Sequence, residues 1–430
     1  MAGSRRRHRR GGAQSPEQSA ESSPLPDATV TSREVAVVGR PSKNTCHASG
    51  SASSLSPGPH VFADLLDNLL HEIIALFNSL HDFLAFIGTC RSWRAVVSSF
   101  SSEHIFSFPP LHLKPDGPYV LPNTGGIKPM LLSDCKWQLS DLSKKNISLR
   151  CSVPQNTPNT MHYLGCSYGY LIFSYEEHCL LVNALTGTKV KPPKLPPNNM
   201  LGQFCGIGIL TAAFSSPNSC LLLCSETSMF QWRVGTNRWS EHPLALGEEC
   251  IHQMLLFNGD IFALDTRRRL YTISLVPQFS LQEVAITWGS MPINPWLVVS
   301  RDQLLMVNLS CGSDNFNGER YSIFVVFRLD FSVQPAKKVK MEKLENQSLF
   351  VSLDKRNPTF SCTNPERWGG KSNCIYVANL FPDETWTAVE LGQPVRRDIS
   401  HCLYYGCAFP HDCSLLSSLW MFPGSVCGSG

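Results

Sequence analysis

Short apolar runs separated by turn residues recur from about residue 161 onward, and they limit the fold more than any other feature of the sequence. Two clear pairs of such runs are Gly169–Tyr175 with Cys179–Asn183, and Gln253–Phe257 with Ile261–Leu264. Asn258-Gly259 between the second pair favours a tight hairpin, because both turn positions tolerate positive φ. The hairpins recur roughly every 40–50 residues, which is the period of β-propeller blades. A pair of β-sandwiches is the competing architecture, but so long and regular a run favours the propeller.

A different period marks residues 62–100. Apolar residues there recur at helical spacing, which predicts three short amphipathic helices. The first carries Leu65, Leu69, Leu70, Ile73, Ile74 and Phe77, the second Leu80, Phe83, Leu84 and Ile87, and the third runs from Cys90 to Val97. Three helices in about 40 residues bury too little apolar surface to fold alone. We therefore expect this unit to need a partner or a larger domain.

The composition excludes several classes of function. Charged residues make up 17% of the 430 residues and the net charge is +3, which gives no strong electrostatic case for binding nucleic acid. No apolar run reaches the roughly 18–20 residues that a membrane helix needs. The 17 cysteines are scattered through a chain without a secretory signal, so we expect reduced thiols and a location in the nucleus, the cytoplasm or both.

The segments on either side of the predicted helices are poor in regular patterns. Residues 1–59 are rich in Ser, Pro, Ala, Arg and Glu, which predicts a disordered arm. The basic run Arg5–Arg10 is a nuclear address, a phosphate-binding arm or a solvated part of the disordered arm. Residues 105–160 carry many Pro and Gly residues, which exclude long helices. We predict a linker there with short strands around Tyr119–Leu121 and Met130–Leu132.

The helical stretch, which we assign to residues 60–104, resembles an F-box. The resemblance rests on Phe62, Asp64, Leu65, Leu69-Leu70, Ile73, Asp82-Phe83 and, above all, the block Cys90-Arg91-Ser92-Trp93-Arg94. Leu66 stands where the family usually has proline, a residue that presets the first helical turn.

Residues 161–423 resemble the KIB-type F-box-associated domain of plant F-box proteins, which implies a β-propeller. The resemblance rests on Gly169-Tyr170-Leu171, Asn183–Gly187, Pro192-Pro193, Leu195-Pro196-Pro197, Ser372–Tyr376, and Trp420 with Phe422-Pro423. Ala184 stands where the family has proline. The family's terminal strand, around Trp420 here, closes the ring with N-terminal sequence. Together the two resemblances imply an α+β multidomain chain, in which a three-helix F-box precedes a mainly-β propeller.

The same resemblances imply a function. F-box helices dock on the Skp-type adaptor of a cullin-RING ubiquitin ligase, and the propeller would hold a protein substrate. The residues expected to bind the adaptor are Leu65, Leu66, Leu69, Leu70, Ile73, Phe83 and Leu84. Each of these leucines could equally serve a small internal core. The chain is thus predicted to be the non-catalytic substrate-recognition subunit of an SCF-type ubiquitin ligase, linked through the adaptor to cullin.

Other candidate sites are weaker. His401, Cys402, Cys407, His411 and Cys413 cluster in sequence but match no usual zinc spacing, so we expect no metal and no cofactor. Gly206-x-Gly208 lacks the third glycine and the βαβ context of a dinucleotide site. Arg267-Arg268-Arg269 either lines a propeller face that recognises acidic groups or forms a solvated loop.

Two other functions remain open. One is a propeller scaffold with a degenerate F-box, which Leu66 makes plausible. The other is a propeller enzyme, which should place Asp, Glu, His or Ser at strand starts around the axis. The predicted strands begin mainly with apolar residues and cysteine, which disfavours an enzyme.

Overall fold

A computed structural model describes residues 65–77, 80–90, 92–93, 109–116, 136–142, 148–152, 162–197, 201, 206–247, 249–287, 293–313, 320–378, 386–395 and 416–422. All of them belong to one compact unit, Pro57–Gly430. The arm at 1–59, the strands predicted near Tyr119 and Met130, and the cluster His401–Cys413 lie outside the described residues. No helix in the described ranges is both long and apolar enough to cross a membrane.

The described residues form two α-helices, a 3-10 helix at Pro365–Trp368, and strands in six sheets, the last two of which are hydrogen-bonded into one. The helices are α1 (Asp67–Leu76) and α2 (Leu80–Thr89). The first sheet contains β1 (Leu111–Asp116), β2 (Lys136–Asp141) and β3 (Ser148–Ser152). The second contains β4 (His162–Ser167), β5 (Tyr170–Tyr175), β6 (His178–Asn183) and β7 (Lys189–Val190). The third contains β8 (Ile207–Leu210), β9 (Cys220–Cys224), β10 (Ser228–Arg233) and β11 (Ser240–Pro243). The fourth contains β12 (Ile251–Phe257), β13 (Asp260–Asp265), β14 (Leu270–Ser274) and β15 (Ser280–Val284).

The remaining strands complete the last two sheets and return to the first. The fifth contains β16 (Ile286–Thr287), β17 (Ile293–Ser300), β18 (Gln303–Ser313), β19 (Arg320–Asp330) and β20 (Ala336–Met341). The sixth contains β21 (Gln347–Ser352), β22 (Phe360–Thr363), β23 (Cys374–Ala378) and β24 (Trp386–Glu390), while β25 (Pro394–Val395) pairs with β19. A parallel pair, Val299 with Phe360, joins the fifth and sixth sheets into one ladder. The last strand, β26 (Leu419–Met421), pairs with β1.

Six hydrophobic clusters lie between successive sheets, and the sixth lies between the last sheet and the first. Representative members, in order round the ring, are Trp137 with Phe173, Ile172 with Leu223, Leu222 with Ile261, Leu264 with Met306, Val307 with Val377, and Tyr376 with Trp420. Neighbouring residues such as Ile172 and Phe173 enter different clusters, because successive side chains of a strand point to opposite faces. Each sheet is therefore buried on both faces, and the six sheets form a closed six-bladed propeller.

The ring is closed by pairing between the first strand and the last one, β1 and β26. In this register Leu111 lies opposite Met421, and His112 lies opposite Trp420. The segment at residues 105–160, predicted as a linker with short strands, thus supplies three strands of the first blade. Its prolines obscured the strands, although alternate residues such as Leu113 and Leu139 are buried. Proline is compatible with a short strand where the ladder ends.

The two helices share the hydrophobic cluster between the first and second blades. Leu70, Ile74 and Phe86 belong to that cluster together with Trp137 and Phe173. Of the predicted third helix, residues 90, 92 and 93 are described, and of these only 92 and 93 are helical. The three-helix F-box therefore stays a prediction, whereas the mainly-β propeller is confirmed.

Most hairpins predicted from the period-2 runs are present. Asn258 and Gly259 have φ values of 51° and 87°, as the predicted tight turn between β12 and β13 requires. The first strand of several blades was not predicted, including β8, which contains Gly208 of the Gly206-x-Gly208 pair. These strands are short, and their alternation is too brief to stand out from turn sequence.

Candidate functional site

Helix α1 presents two parallel apolar stripes. Leu70, Ile74 and Phe77 form the inner stripe and join the hydrophobic cluster with the propeller. The outer stripe consists of Leu66, Leu69, Ile73 and Leu76, which follow one another at the three- and four-residue spacing of one helix face. We call these four residues the leucine face.

Exposure divides the two stripes sharply. Leu66, Leu69 and Leu76 are 73%, 45% and 78% exposed, whereas Leu70 and Ile74 are 0% exposed. Ile73, at the border between the stripes, is half-buried. Three exposed leucines on one helix face are an apolar patch of the kind that marks protein docking sites.

The structure places the seven residues predicted to bind the adaptor in different environments. Leu66 and Leu69 are exposed, Leu65 and Ile73 are half-buried, and Leu70 is completely buried. Leu70 therefore offers no surface to a partner in this conformation. The side chains of Phe83 and Leu84 lie outside the described part of the structure. Leu76, which was not predicted, extends the exposed stripe, and its spacing of seven residues from Leu69 could have revealed it.

Leu66 is the N-cap residue of α1. Its φ of −60° and ψ of 138° are values that proline also adopts, and no side chain caps the helix there. The leucine therefore leaves the backbone path of the helix start unchanged. What differs from the family pattern is the shape of the side chain at the edge of the leucine face.

A second constellation lies at the centre of the ring. The inner strands approach one another there: β4 contacts β8, β8 contacts β12, and β12 contacts β17. The segment Leu353–Thr359, between β21 and β22, bonds to the inner parts of several blades, and we call it the axial loop. Asn357 accepts a hydrogen bond from the Tyr163 hydroxyl at 2.7 Å, and its amide donates to Ser417 Oγ at 3.1 Å. The axial loop thereby ties the sixth blade to the first and second.

Two charged residues of the axial loop neutralise each other. The Arg356 guanidinium donates to both carboxylate oxygens of Asp354, with Nη2 2.7 Å from Oδ2. It also donates to the Tyr163 carbonyl and stacks 5.2 Å from the centroid of the Tyr163 ring. Burial, followed by the electrostatic effects of Cys166 and Asp354, raises the pKa of Tyr163 well above its usual value. This tyrosine is therefore a structural hydrogen-bond donor and not an acid near neutral pH.

The next residue, Lys355, has a different environment. Its Nζ lies 3.2 Å from His252 Nε2 on β12 and 5.5 Å from the centroid of the Trp296 ring. Burial and, second, the positive charge of Arg268 lower the Lys355 pKa to about 7. Burial, Lys355 and Arg268 together lower the pKa of His252 well below its usual value, so the imidazole is neutral.

The three consecutive arginines, for which a propeller face and a solvated loop were the two alternatives, make separate contacts. Arg267 pairs with Glu249 and Arg269 pairs with Asp265, in which Nε lies 2.7 Å from Oδ2. Arg268, in the same turn between β13 and β14, has a positive φ of 69°. Its charge reaches Lys355 and His252, whose pKa values it lowers.

Glycines permit the close approach at the centre. Gly165 has a φ of +153°, and a Cβ there would lie 2.6 Å from the Gly208 carbonyl oxygen and 3.0 Å from that of Arg356. A Cβ on Gly208 would in turn lie 2.9 Å from Leu223 of the same blade and 3.2 Å from Ile172 of the second blade. The Gly206-x-Gly208 motif thus serves the packing of inner strands.

Within the described ranges, no group of three or more His, Cys, Asp or Glu side chains could hold a metal ion. The sequence cluster around Cys407 lies outside those ranges.

Comparison with protein families matches the chain at residues 139–405 to the KIB1-4 beta-propeller model. This match covers more than half of the 430 residues. The chain belongs to the KIB1-4 beta-propeller family. The match begins within β2 of the first blade, and its residues include the axial loop and the arginine turn of this KIB1-4 propeller. Helices α1 and α2 lie outside it, so their resemblance to an F-box stays a prediction.

Solved structures show only distant likeness to this KIB1-4 propeller. BBS1N in complex with ARL6DN is 11% identical with a TM-score of 0.27, covering 46% of this chain and 70% of that one. The tricorn protease is 12% identical with a TM-score of 0.28, and the match covers 47% of this chain and 20% of that one. The yeast nucleoporin complex Nup82-Nup159-Nup116 is 14% identical with a TM-score of 0.25, and the match covers 41% of this chain and 44% of that one.

The chain thus spans less than half of the length of two of these three solved chains. All three TM-scores are below 0.5. No curated protein sequence gives a significant match.

Sequence reasoning missed the axial loop. Its polar run Asp354-Lys355-Arg356-Asn357 is indistinguishable from a solvated turn, since nothing local shows that the turn faces the ring axis. A weak indication was available in Pro358 and in the short distance between two strongly apolar strands.

Proposed function

We propose that this chain is the substrate-recognition subunit of an SCF-type cullin-RING E3 ubiquitin ligase. In this proposal the leucine face docks on the Skp-type adaptor, which connects the chain to cullin, and the propeller binds a protein substrate. The chain itself carries out no chemistry and works in the nucleus, the cytoplasm or both. The observation that carries the proposal is the exposed leucine face on a helix whose other side is fixed in the core of a KIB1-4 propeller.

The packing of α1 against the propeller suits it to present a rigid binding surface to the adaptor. Leu70 and Ile74 join the cluster between the first two blades, so the helix does not need the adaptor to hold its position. Burying one exposed leucine at an interface contributes about 1.5–3 kcal/mol before the costs of association. Three such side chains are enough for the central apolar anchor that most protein interfaces contain.

A binding experiment on the full chain tests this proposal. Surface plasmon resonance measures the affinity of the purified chain for an immobilised Skp-type adaptor. The wild-type chain is compared with the double variant Leu66→Asp/Leu69→Asp. Both substituted side chains are exposed, so the fold should survive. We expect the affinity to fall by about 100-fold or more, because two apolar anchors are replaced by desolvated charges.

A matched control comes from the propeller. Val339 on β20 is 39% exposed, close to the 45% of Leu69, and Val339→Asp should leave the affinity for the adaptor unchanged. Equal binding by wild type and the double variant, or equally poor binding by both, would show that the leucine face does not dock on the adaptor.

The second candidate is a propeller scaffold whose F-box no longer binds the adaptor. It is favoured by Leu66, which replaces the family's proline at the edge of the leucine face. The same experiment separates the two, because a scaffold would show no adaptor binding in any of the variants.

A further inference from the structure

Three basic side chains converge on the axial loop from separate parts of the chain. Lys355 belongs to the loop itself, His252 to the inner strand β12, and Arg268 to the turn between β13 and β14. The Lys355 ammonium lies 3.2 Å from His252 Nε2, and Arg268 lies close enough for its charge to lower the pKa of both. All three residues are half-buried, so they remain in contact with solvent.

The positive charge of this group is not neutralised within the described part of the chain. The nearby carboxylates are engaged elsewhere: Asp265 is paired with Arg269, and Asp354 is paired with Arg356. Among the described residues, no carboxylate forms an ion pair with Lys355 or Arg268. When Lys355 is protonated, its charge and that of Arg268 repel each other in a partly desolvated place, which raises the free energy of the folded state.

The hydrogen-bond donors of Lys355 and Arg268 determine which kind of ligand could relieve this repulsion. His252 is neutral and accepts one hydrogen bond from the Lys355 ammonium, which leaves further N–H donors on that group. The Arg268 guanidinium supplies a planar set of N–H donors that suits carboxylate and phosphate oxygens. An oxyanion placed between the two would accept charge-assisted hydrogen bonds from both.

We infer that His252, Arg268 and Lys355 form a binding site for the oxyanion of an acidic segment in a partner protein. In the site, Lys355 and Arg268 donate to the oxyanion, and His252 orients the ammonium. This inference rests on the proposed function, since it names the chemistry by which the propeller would recognise its protein partner. The three residues come from the fourth blade and the axial loop, so the site exists only in the folded ring.

Fluorescence anisotropy of a labelled hexaglutamate peptide on the full chain tests the inference, with a hexaglutamine peptide as the neutral comparison. At constant ionic strength, we expect the wild-type chain to bind hexaglutamate and not hexaglutamine. Lys355→Met and Arg268→Gln should each weaken hexaglutamate binding by about tenfold, the usual loss for one charge-assisted hydrogen bond. Arg267→Gln removes the same charge from the adjacent, exposed residue and should change binding by less than about twofold, because surface charges are screened.

Competition identifies the oxyanion. Displacement of hexaglutamate by inorganic phosphate would assign the site to phosphate as well as carboxylate groups, and displacement by acetate alone would restrict it to carboxylates. If neither displaces the peptide, or if Arg267→Gln weakens binding as much as Arg268→Gln, the inference is wrong. Thermal unfolding of every variant shows that a loss of binding is not a loss of fold, and Arg268→Gln in a surface turn is the safest variant.

The assay contains no adaptor, so its result is separate from that of the ligase proposal. Binding of hexaglutamate without adaptor binding would remove the ligase function and keep the oxyanion site. Adaptor binding without hexaglutamate binding would remove the oxyanion site and keep the ligase function.

Discussion

Closure of the ring depends on Trp420, and a pair of matched substitutions measures how. Trp420 in β26 is 0% exposed, and its ring lies 5.1 Å from Phe350 and 5.0 Å from His112. No described residue accepts a hydrogen bond from its Nε1. Trp137 in β2 of the same blade is equally buried, but its Nε1 donates to the Ala184 carbonyl at 2.8 Å.

Changing either tryptophan to phenylalanine removes the same atoms, so the lost transfer energy and the cavity cost are similar. Trp137→Phe also leaves the buried Ala184 carbonyl without its partner, which costs about 1–3 kcal/mol more. We therefore expect Trp420→Phe to lower the free energy of unfolding by about 1–3 kcal/mol less than Trp137→Phe does. Trp420→Ala should cost about 3–5 kcal/mol, because a large cavity replaces the aromatic contacts that join the first and last blades.

Urea denaturation followed by far-UV circular dichroism measures these differences, which are large against a typical stability of about 5–15 kcal/mol. Hydrogen exchange shows which strands of the ring are destabilised by each substitution. In Trp420→Ala, peptides covering β1 and β26 should lose protection, whereas β13 on the opposite side of the ring keeps it. If Trp420→Phe costs as much as Trp137→Phe, the hydrogen-bond argument fails. If Trp420→Ala leaves β26 fully protected, the closure argument fails too.

Three further predictions concern the centre of the ring and the helix. Gly165→Ala should destabilise the protein by about 2–4 kcal/mol, because its Cβ would clash with two backbone carbonyls. Gly235→Ala, which has open space around it, should cost only about 1 kcal/mol for its positive φ. Thermal unfolding measures both losses of stability, and equal losses would contradict the clash. Leu66→Pro should increase the affinity for the adaptor, because it restores the proline of the F-box pattern at a backbone φ that already suits this residue; absence of adaptor binding by both wild type and this variant would favour the scaffold hypothesis. Lys355→Met should be more stable than wild type at pH 7 and below, and the difference should shrink as the pH rises from about 7 towards 10.5.

The sign of this last prediction follows from the lowered pKa of Lys355. Between about pH 7 and 10.5 the unfolded chain binds the lysine proton and the folded chain does not, so stability rises with pH in that window. The charged and titratable groups that face Lys355 are His252 and Arg268, and Asp354 beside it is held by Arg356. Urea denaturation at several pH values checks the trend, and a difference that does not change with pH would contradict it.

The propeller could be predicted because its cause is local and repeated. Runs such as those around Asn258-Gly259 carry both the strand period and the turn chemistry, and the regular spacing of hairpins indicates blades. The outer stripe of α1 could also be predicted from the sequence, since Leu66, Leu69 and Ile73 follow the helical period. The number of blades could not be predicted from the sequence, because short inner strands such as β8 and β22 have too few residues to show the two-residue alternation of a strand.

What the sequence by itself determined is the set of elements: a helix with apolar residues on two neighbouring stripes, and hairpins with apolar residues on both faces. Local propensity and side-chain alternation fix these, and they need no distant contact. Only the tertiary structure decided that Leu70 is a core residue while Leu69 is exposed, and that β1, β2 and β3 join Trp420 in the first blade. It also decided that Lys355 meets His252 and Arg268. These outcomes depend on contacts between residues as much as about 310 positions apart, and no local pattern encodes which distant surface a side chain will meet.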